Sequence, residues 1–110
     1  MNEQNVLASI SQIEQFITNH RFSFVYIMRT NCSVCHALFP QLKNVLEDFP
    51  DIQLGVVNAD DVPEVAGYLS IFTAPVMILF MDGKEVLREA RFVHLDVFRE
   101  KLKKIYELSH

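Results

Sequence analysis

The chain has 110 residues, 50% hydrophobic and 22% charged, which excludes a disordered segment and suffices for one folded domain over residues 1–110. Ten Lys and Arg against fourteen Asp and Glu leave a net charge of -4, and this argues against a nucleic-acid partner, whose binding needs a basic surface. Two cysteines are too few for the multi-bridge framework of small secreted proteins.

The first half of the chain predicts two helices and two strands. Apolar residues at spacings of three and four predict an amphipathic helix over residues 3–19. The apolar run over residues 22–28 predicts a strand buried on both faces. Helical spacing returns over residues 33–49, where Pro40 predicts a kink. A second apolar run over residues 52–57 predicts a second buried strand.

A short helix and a hairpin follow. Residues 61–70 fit a helix. The dipeptide Asp82-Gly83 is typical of a tight hairpin turn. It therefore predicts antiparallel strands over residues 76–81 and 85–92.

The order of these elements sets the fold class. Helical spacing over residues 94–108 adds a last helix, so helices and strands alternate along most of the chain. This alternation predicts an α/β domain whose first strands are parallel, and the hairpin makes the sheet mixed. We expect about four strands with helices on both faces, and reactive groups at the carboxyl ends of the strands.

Both cysteines lie in the segment Cys32-Ser33-Val34-Cys35, after the first buried strand. At the start of a helix, unpaired backbone N–H groups and the positive end of the helix dipole favour the thiolate, the nucleophilic form. The spacing of three puts Cys35 on the same helical face, within reach of a mixed disulfide formed at Cys32. This favours Cys32 as a nucleophile and Cys35 as a resolving cysteine.

Three other interpretations of the cysteine pair remain open. The two side chains could be small buried hydrophobes, or half of a zinc site. The segment followed by His36 also matches the Cys-x-x-Cys-His pattern of covalent haem attachment, although no export signal accompanies it. The histidines available to complete a zinc site are His20, His36, His94 and His110.

With Thr73-Ala74-Pro75 ahead of the third buried strand, the chain resembles the thioredoxin family over nearly its whole length. The resemblance implies a thioredoxin fold and a cis Ala74-Pro75 bond beside the active-site sulfurs. It also implies reduction of protein or low-molecular-weight disulfides through Cys32 and Cys35, with a thioredoxin-reductase-like electron donor and no metal or organic cofactor. The substrate-binding residues that it implies are Asn31, Ser33, Val34, Thr73, Ala74, Pro75 and Arg91.

The chain departs from the family pattern around the pair. The family usually carries Trp-Cys-Gly-Pro-Cys-Lys, whereas this chain has Asn31 before the first cysteine and His36 after the second. Tyr26 and Val56 stand where the family has a buried Asp and its Lys partner, which help to move the proton of the buried cysteine. A Tyr hydroxyl, with a pKa near 10, is a poor base near neutral pH. Arg91 replaces a flexible glycine.

Two expectations concern side chains near this site. Arg29 and Arg91 are expected to be solvated charges at strand ends; if either lies beside Cys32, it would favour the thiolate and anionic substrates. Six phenylalanines on apolar patterns are expected in the core rather than in a ligand site, namely Phe39, Phe49, Phe72, Phe80, Phe92 and Phe98.

A second function stays open, and the location is also an expectation. The loss of the Trp, the Asp and the Lys is compatible with a binding module or redox sensor that docks a partner at the Pro75 loop. The first residues contain no basic run followed by an apolar segment, so we expect no secretory signal and a cytoplasmic location. The longest apolar run, over residues 74–81, is shorter than the roughly 18 residues of a membrane helix, so we expect no membrane partner.

Overall fold

The computed structural model describes residues 4–91 and 94–109. The strands within these residues are β1 (Gln4–Val6), β2 (Phe22–Met28), β3 (Ile52–Asn58), β4 (Val76–Met81) and β5 (Lys84–Ala90). The helices are α1 (Ile10–Asn19), α2 (Ser33–Leu46), α3 (Val65–Tyr68) and α4 (Leu95–Leu108). None of these helices has the length and apolarity that a membrane crossing requires.

The strands form one mixed sheet in the spatial order β1-β3-β2-β4-β5. β3 pairs in parallel with both β1 and β2, and β4 pairs antiparallel with β2 and β5. Asp82 and Gly83 join β4 to β5 with φ angles of 52° and 83°, the left-handed conformation that a two-residue hairpin turn needs. The mixed α/β sheet and its hairpin are confirmed, with one strand more than expected.

Two apolar clusters cover opposite faces of the sheet. Side chains alternate between the two faces along a strand. Phe24 and Tyr26 of β2 accordingly belong to a cluster that includes residues of α2 and α4. Val25 and Ile27 belong to a second cluster, which includes residues of α1 and α3. β2 is therefore buried on both faces, as its unbroken apolar run predicted.

The predicted helix over residues 3–19 is wrong in its first part. Residues Gln4–Val6 form the edge strand β1, and residue 3 lies outside the described residues. The helix begins only at Ile10, because the hydroxyl of Ser9 caps it by accepting a hydrogen bond from the backbone N–H of Gln12 at 3.1 Å. The apolar residues keep helical spacing across the strand and the cap, and the predicted helix therefore starts too early.

Other boundaries differ less. The helix predicted over residues 61–70 is a single turn, Val65–Tyr68, and a turn that contains Pro63 precedes it. Helix α2 contains Pro40 and ends at Leu46. The predicted strand over residues 85–92 runs from Lys84 to Ala90, and its last expected residue lies outside the described residues.

The phenylalanines are core residues with one clear exception. Phe49, Phe80 and Phe98 are buried, and Phe39 packs partly buried against the cluster that contains Tyr26. Phe72 contradicts the prediction, because its side chain is 90% exposed and its neighbour Ile71 is buried instead. The sixth of these phenylalanines, Phe92, lies outside the described residues.

Candidate active site

Cys32 lies between β2 and α2, at the carboxyl end of a central strand. It is the N-cap of α2 and has an extended backbone, with φ -111° and ψ 96°. Its sulfur accepts a hydrogen bond from the backbone N–H of Cys35 at 3.2 Å. The helix therefore offers Cys32 both a backbone donor and the positive end of its dipole, which stabilise negative charge on sulfur.

Cys32 and Cys35 are joined by a disulfide, with their Cα atoms 5.2 Å apart. The two cysteines differ in access to solvent. Cys32 is partly exposed, whereas Cys35 is completely buried. Of the two sulfurs, that of Cys32 is therefore the one that an external disulfide can reach.

A cavity of about 220 Å³ lies beside Cys32. Residues 31–34 form one wall, and Ala74, Pro75 and Arg91 form the other. The Ala74-Pro75 peptide bond is cis, as the resemblance implied. The fold thus brings together six of the seven expected substrate-binding residues here, although Ala74, Pro75 and Arg91 are distant in sequence from residues 31–34.

Thr73 is the exception among the expected substrate-binding residues. It lines a neighbouring cavity of about 140 Å³ together with Arg29 and the exposed Phe72. Arg29 forms an ion pair there with Asp60, with Nε 3.4 Å from Oδ1. Arg29 therefore lies apart from the Cys32 cavity, in agreement with the expectation of an exposed surface charge.

Arg91 differs from Arg29 in its position relative to Cys32. It lines the Cys32 cavity, and its backbone N–H donates a hydrogen bond of 2.8 Å to the carbonyl of Pro75. Its φ of 58° is a left-handed conformation that glycine adopts easily and other residues rarely do. Arg91 is exposed, as expected of a solvated charge, and it also lies at the Cys32 cavity, which is the alternative that the sequence left open.

Tyr26 lies beside Cys35, at the position where the resemblance implies a buried acid. Its side chain is completely buried, and its hydroxyl donates a hydrogen bond of 2.6 Å to the backbone carbonyl of Cys35. Its ring stacks on Phe39 with the ring centres 5.3 Å apart. Burial raises the pKa of Tyr26 to about 12, so the hydroxyl stays protonated near neutral pH. Val56 pairs with it across the sheet and supplies no charge.

The sequence reasoning missed the role of Thr30 in the loop before Cys32. Its backbone N–H donates to Oδ2 of Asp60 at 2.9 Å, and its hydroxyl accepts from the side-chain amide of Asn58 at 3.0 Å. Its carbonyl accepts from Nε2 of His36 at 2.9 Å, so this nitrogen carries the hydrogen. The polar segment that follows β3 could have predicted these contacts. Because β2 and β3 are parallel, their carboxyl ends lie at the same edge of the sheet, which brings this segment close to Thr30.

The zinc interpretation finds no support in the surroundings of the pair. Within residues 4–91 and 94–109, no three His, Cys, Asp or Glu side chains gather where they could hold a metal ion. His36, the histidine next to Cys35, is bonded to the carbonyl of Thr30. His110 lies outside the described residues.

Comparison with known proteins connects this site to a family. The model of the Thioredoxin family matches residues 5–104. The chain is 57% identical over 108 residues to the thioredoxin-like protein YdfQ of Bacillus subtilis, covering 98% of this chain and 96% of that protein. It is 30% identical over 80 residues to Thioredoxin-2 of Pyricularia oryzae, covering 73% of this chain and 47% of that protein.

The fold likeness extends to solved structures. The crystal structure of thioredoxin from Trypanosoma brucei brucei superposes with a TM-score of 0.86, covering 96% of this chain and 92% of that chain. The sequence identity is 17%, so this likeness concerns the fold alone.

Proposed function

The chain belongs to the thioredoxin family, and on that premise we propose that it reduces disulfides of proteins or of low-molecular-weight thiols by dithiol exchange. The family and the Cys-x-x-Cys pair support thiol–disulfide oxidoreductase chemistry in general. The observation that carries the finer proposal is the difference between the two sulfurs. Cys32 is accessible at the start of α2, and Cys35 is buried one turn behind it.

The first step is attack by the Cys32 thiolate on one sulfur of the substrate disulfide. A bond forms between Cys32 Sγ and that sulfur, the substrate disulfide breaks, and the other substrate sulfur leaves as a thiolate. The backbone N–H of Cys35 and the N-terminus of α2 stabilise the thiolate of Cys32 before it attacks.

The second step releases the substrate from the mixed disulfide. Cys35 loses its proton and attacks Cys32 Sγ, the bond between Cys32 and the substrate breaks, and the second substrate sulfur leaves as a thiolate. Two electrons have then passed from the cysteine pair to the substrate, and the pair is a disulfide. A donor of the thioredoxin-reductase type must return two electrons before another cycle.

Cys35 must give up a proton before it attacks. At the position where the family has a buried acid to accept that proton, this chain has Tyr26. Tyr26 holds its own proton because burial raises its pKa to about 12. The acceptor in this proposal is the departing substrate thiolate or water. We expect slower reduction of generic protein disulfides than in a protein with the usual pair of ionisable groups, and a cytoplasmic location, where thiols are kept reduced.

The experiment is capture of the mixed disulfide. A Cys35→Ser variant removes the resolving sulfur, so it should retain substrates covalently at Cys32 when cells are challenged with an oxidant. The matched Cys32→Ser variant keeps only the buried sulfur and should retain none. Absence of any adduct with Cys35→Ser, together with no acceleration of insulin reduction by dithiothreitol, would contradict the proposal in favour of a binding module at the Pro75 loop.

A further inference from the structure

Arg91 gives the cavity beside Cys32 its charge. Among the residues that line this cavity in the described part of the chain, Arg91 carries a charge and the others are neutral. We propose that Arg91 selects disulfide substrates that carry a carboxylate close to the reacting sulfur. This inference rests on the proposed exchange function and names the substrate class of the same site.

The backbone holds Arg91 against the cis-proline loop. Ala90 pairs with Val76, and the next N–H, that of Arg91, donates to the carbonyl of Pro75 at 2.8 Å. The base of the arginine side chain is thereby fixed on the wall that faces Cys32. Arg91 is exposed, so its guanidinium can meet a ligand that arrives from solvent.

The backbone conformation of Arg91 is unusual for a residue with a side chain. Its φ of 58° lies in the left-handed region, which glycine adopts without cost and which a residue with a Cβ populates rarely. A glycine would serve the backbone better at this position. The chain therefore has a charged residue here despite the conformational cost, and that residue lines the cavity beside Cys32.

The net charge of the chain makes a positive group at this cavity distinctive. The chain as a whole carries a charge of -4 and disfavours the approach of anions, so Arg91 adds a local attraction for an anionic substrate beside Cys32.

The size of the cavity restricts the ligand to a short segment. Its volume of about 220 Å³ is below the range of roughly 300 to 1,000 Å³ that is usual for pockets that enclose whole small molecules. The cavity therefore accommodates only the part of the substrate that flanks its reacting sulfur. A carboxylate there has two sources, the free carboxylates of a small thiol or an Asp or Glu beside a protein cysteine. A guanidinium binds a carboxylate through two parallel N–H groups in either case.

The carboxylate takes no part in the bond changes. Cys32 Sγ still forms the bond to the substrate sulfur, the substrate disulfide still breaks, and the two electrons still come from the cysteine pair. The ion pair with Arg91 holds the anionic substrate during the approach and in the mixed disulfide. It therefore acts on the rate of the first step.

The test compares substrates that differ only in charge. The reduced protein is mixed with two disulfide peptides that carry Asp or Asn next to the cysteine, and the second-order rate of exchange is measured for each. We expect the ratio of the Asp rate to the Asn rate to be about threefold to tenfold, and to fall with added salt, since the pair is accessible to solvent. A third arm compares glutathione disulfide with its carboxyl ester, which identifies the small-thiol source.

Variants of Arg91 make the test specific. Arg91→Gln should bring the ratio close to one, and Arg91→Lys should keep a reduced preference because the charge remains without the paired N–H groups. The control Lys103→Gln changes the net charge equally at an exposed position of α4 and should leave the ratio as in the wild type. Equal rates in the wild type, or a preference that survives in Arg91→Gln, would overturn the inference. Exchange with none of the substrates would instead overturn the proposed function.

Discussion

The buried hydroxyl of Tyr26 donates a hydrogen bond of 2.6 Å to the backbone carbonyl of Cys35, and thereby ties the central strand β2 to the first turns of α2. Tyr26 lies in the middle of the sheet, paired with Val56 on one side and Met77 on the other. The position at which the family usually has an ionisable acid is thus occupied by a neutral hydrogen-bond donor. Because this hydroxyl stays protonated near neutral pH, we expect Tyr26 to help place the disulfide rather than to take up a proton.

The first prediction concerns the substitution Tyr26→Phe. The variant keeps the ring that stacks on Phe39 but leaves the carbonyl of Cys35 without this donor, so the free energy of unfolding should fall by about 1 to 2 kcal/mol. The pH profile of disulfide exchange should keep its shape near neutral pH, because a hydroxyl that stays protonated takes no proton there. Urea denaturation and exchange rates against pH measure both effects.

Tyr106→Phe is the matched control for that substitution. The Tyr106 hydroxyl interacts with Asp51, whose backbone N–H donates to it at 3.4 Å, and this contact is exposed, so its removal should cost less stability than loss of the buried Tyr26 hydroxyl. A displaced midpoint in the exchange profile of Tyr26→Phe would mean that the Tyr26 hydroxyl takes part in moving the proton of Cys35.

The second prediction concerns alkaline pH. Burial raises the pKa of Tyr26 to about 12 in the folded chain, against about 10 when the chain is unfolded. Below about pH 10 Tyr26 is protonated in both states, so it does not make the stability depend on pH. As the pH rises to about 12, Tyr26 ionises first in the unfolded chain, which lowers the free energy of unfolding by about 2 to 3 kcal/mol. Urea midpoints measured from about pH 9 to pH 12 should fall more steeply for the wild type than for Tyr26→Phe. If the urea midpoints of the wild type and of Tyr26→Phe fell equally with pH, the raised pKa of Tyr26 would be contradicted.

The third prediction concerns the loop that carries Cys32. Asp60→Ala removes the acceptor of the Thr30 N–H and the partner of Arg29. Both interactions are exposed, so the loss of stability should stay within about 1 kcal/mol, whereas the Thr30 amide should exchange with solvent faster. We expect a severalfold slower first exchange step, since Cys32 is then held less firmly at the start of α2.

Asp61→Ala provides the control, because it removes the same charge from the next, exposed residue. It should change neither the protection of the Thr30 amide nor the exchange rate beyond a general charge effect. Equal slowing by both substitutions would show that charge, and not the contact with Thr30, is responsible.

The sequence predicted the parts of the fold that depend on local pattern. The apolar runs gave the bounds of β2 and β4, and Asp82-Gly83 gave the turn with its left-handed angles. The placement of Cys32 at a strand-to-helix junction followed from the same runs. These features are local because burial on both faces and a tight turn leave their mark on consecutive residues.

The remaining features depend on contacts between distant segments. Strand β1 has three residues at a sheet edge, too few for an alternation that would distinguish it from the helix that follows. The contacts of Thr30 require the ends of β2 and β3 to be adjacent. The left-handed backbone of Arg91 is one that an arginine seldom adopts, so its place beside Cys32 was implied by the resemblance and not by its residue type.

The last prediction tests the edge of the sheet that the sequence missed. Gly55 of β3 lies between β1 and β2, and a Cβ added there would come 2.7 Å from Cδ1 of Leu7 and 2.9 Å from Cε2 of Phe16. Both contacts are too short for carbon atoms, and both side chains are buried, so Gly55→Ala should lower the free energy of unfolding by about 1 to 3 kcal/mol.

Gly67→Ala is the counterpart, because the residue belongs to α3 and, apart from its chain neighbours and its own helix backbone, no described atom lies within 4 Å of its added Cβ. It should leave stability unchanged or raise it by up to about 1 kcal/mol, since alanine favours the helix. Denaturation of the two variants side by side separates crowding from a general effect of replacing glycine. If Gly55→Ala proved as stable as Gly67→Ala, the residues that follow β1 would not pack against β3, and the parallel edge strand would be in doubt.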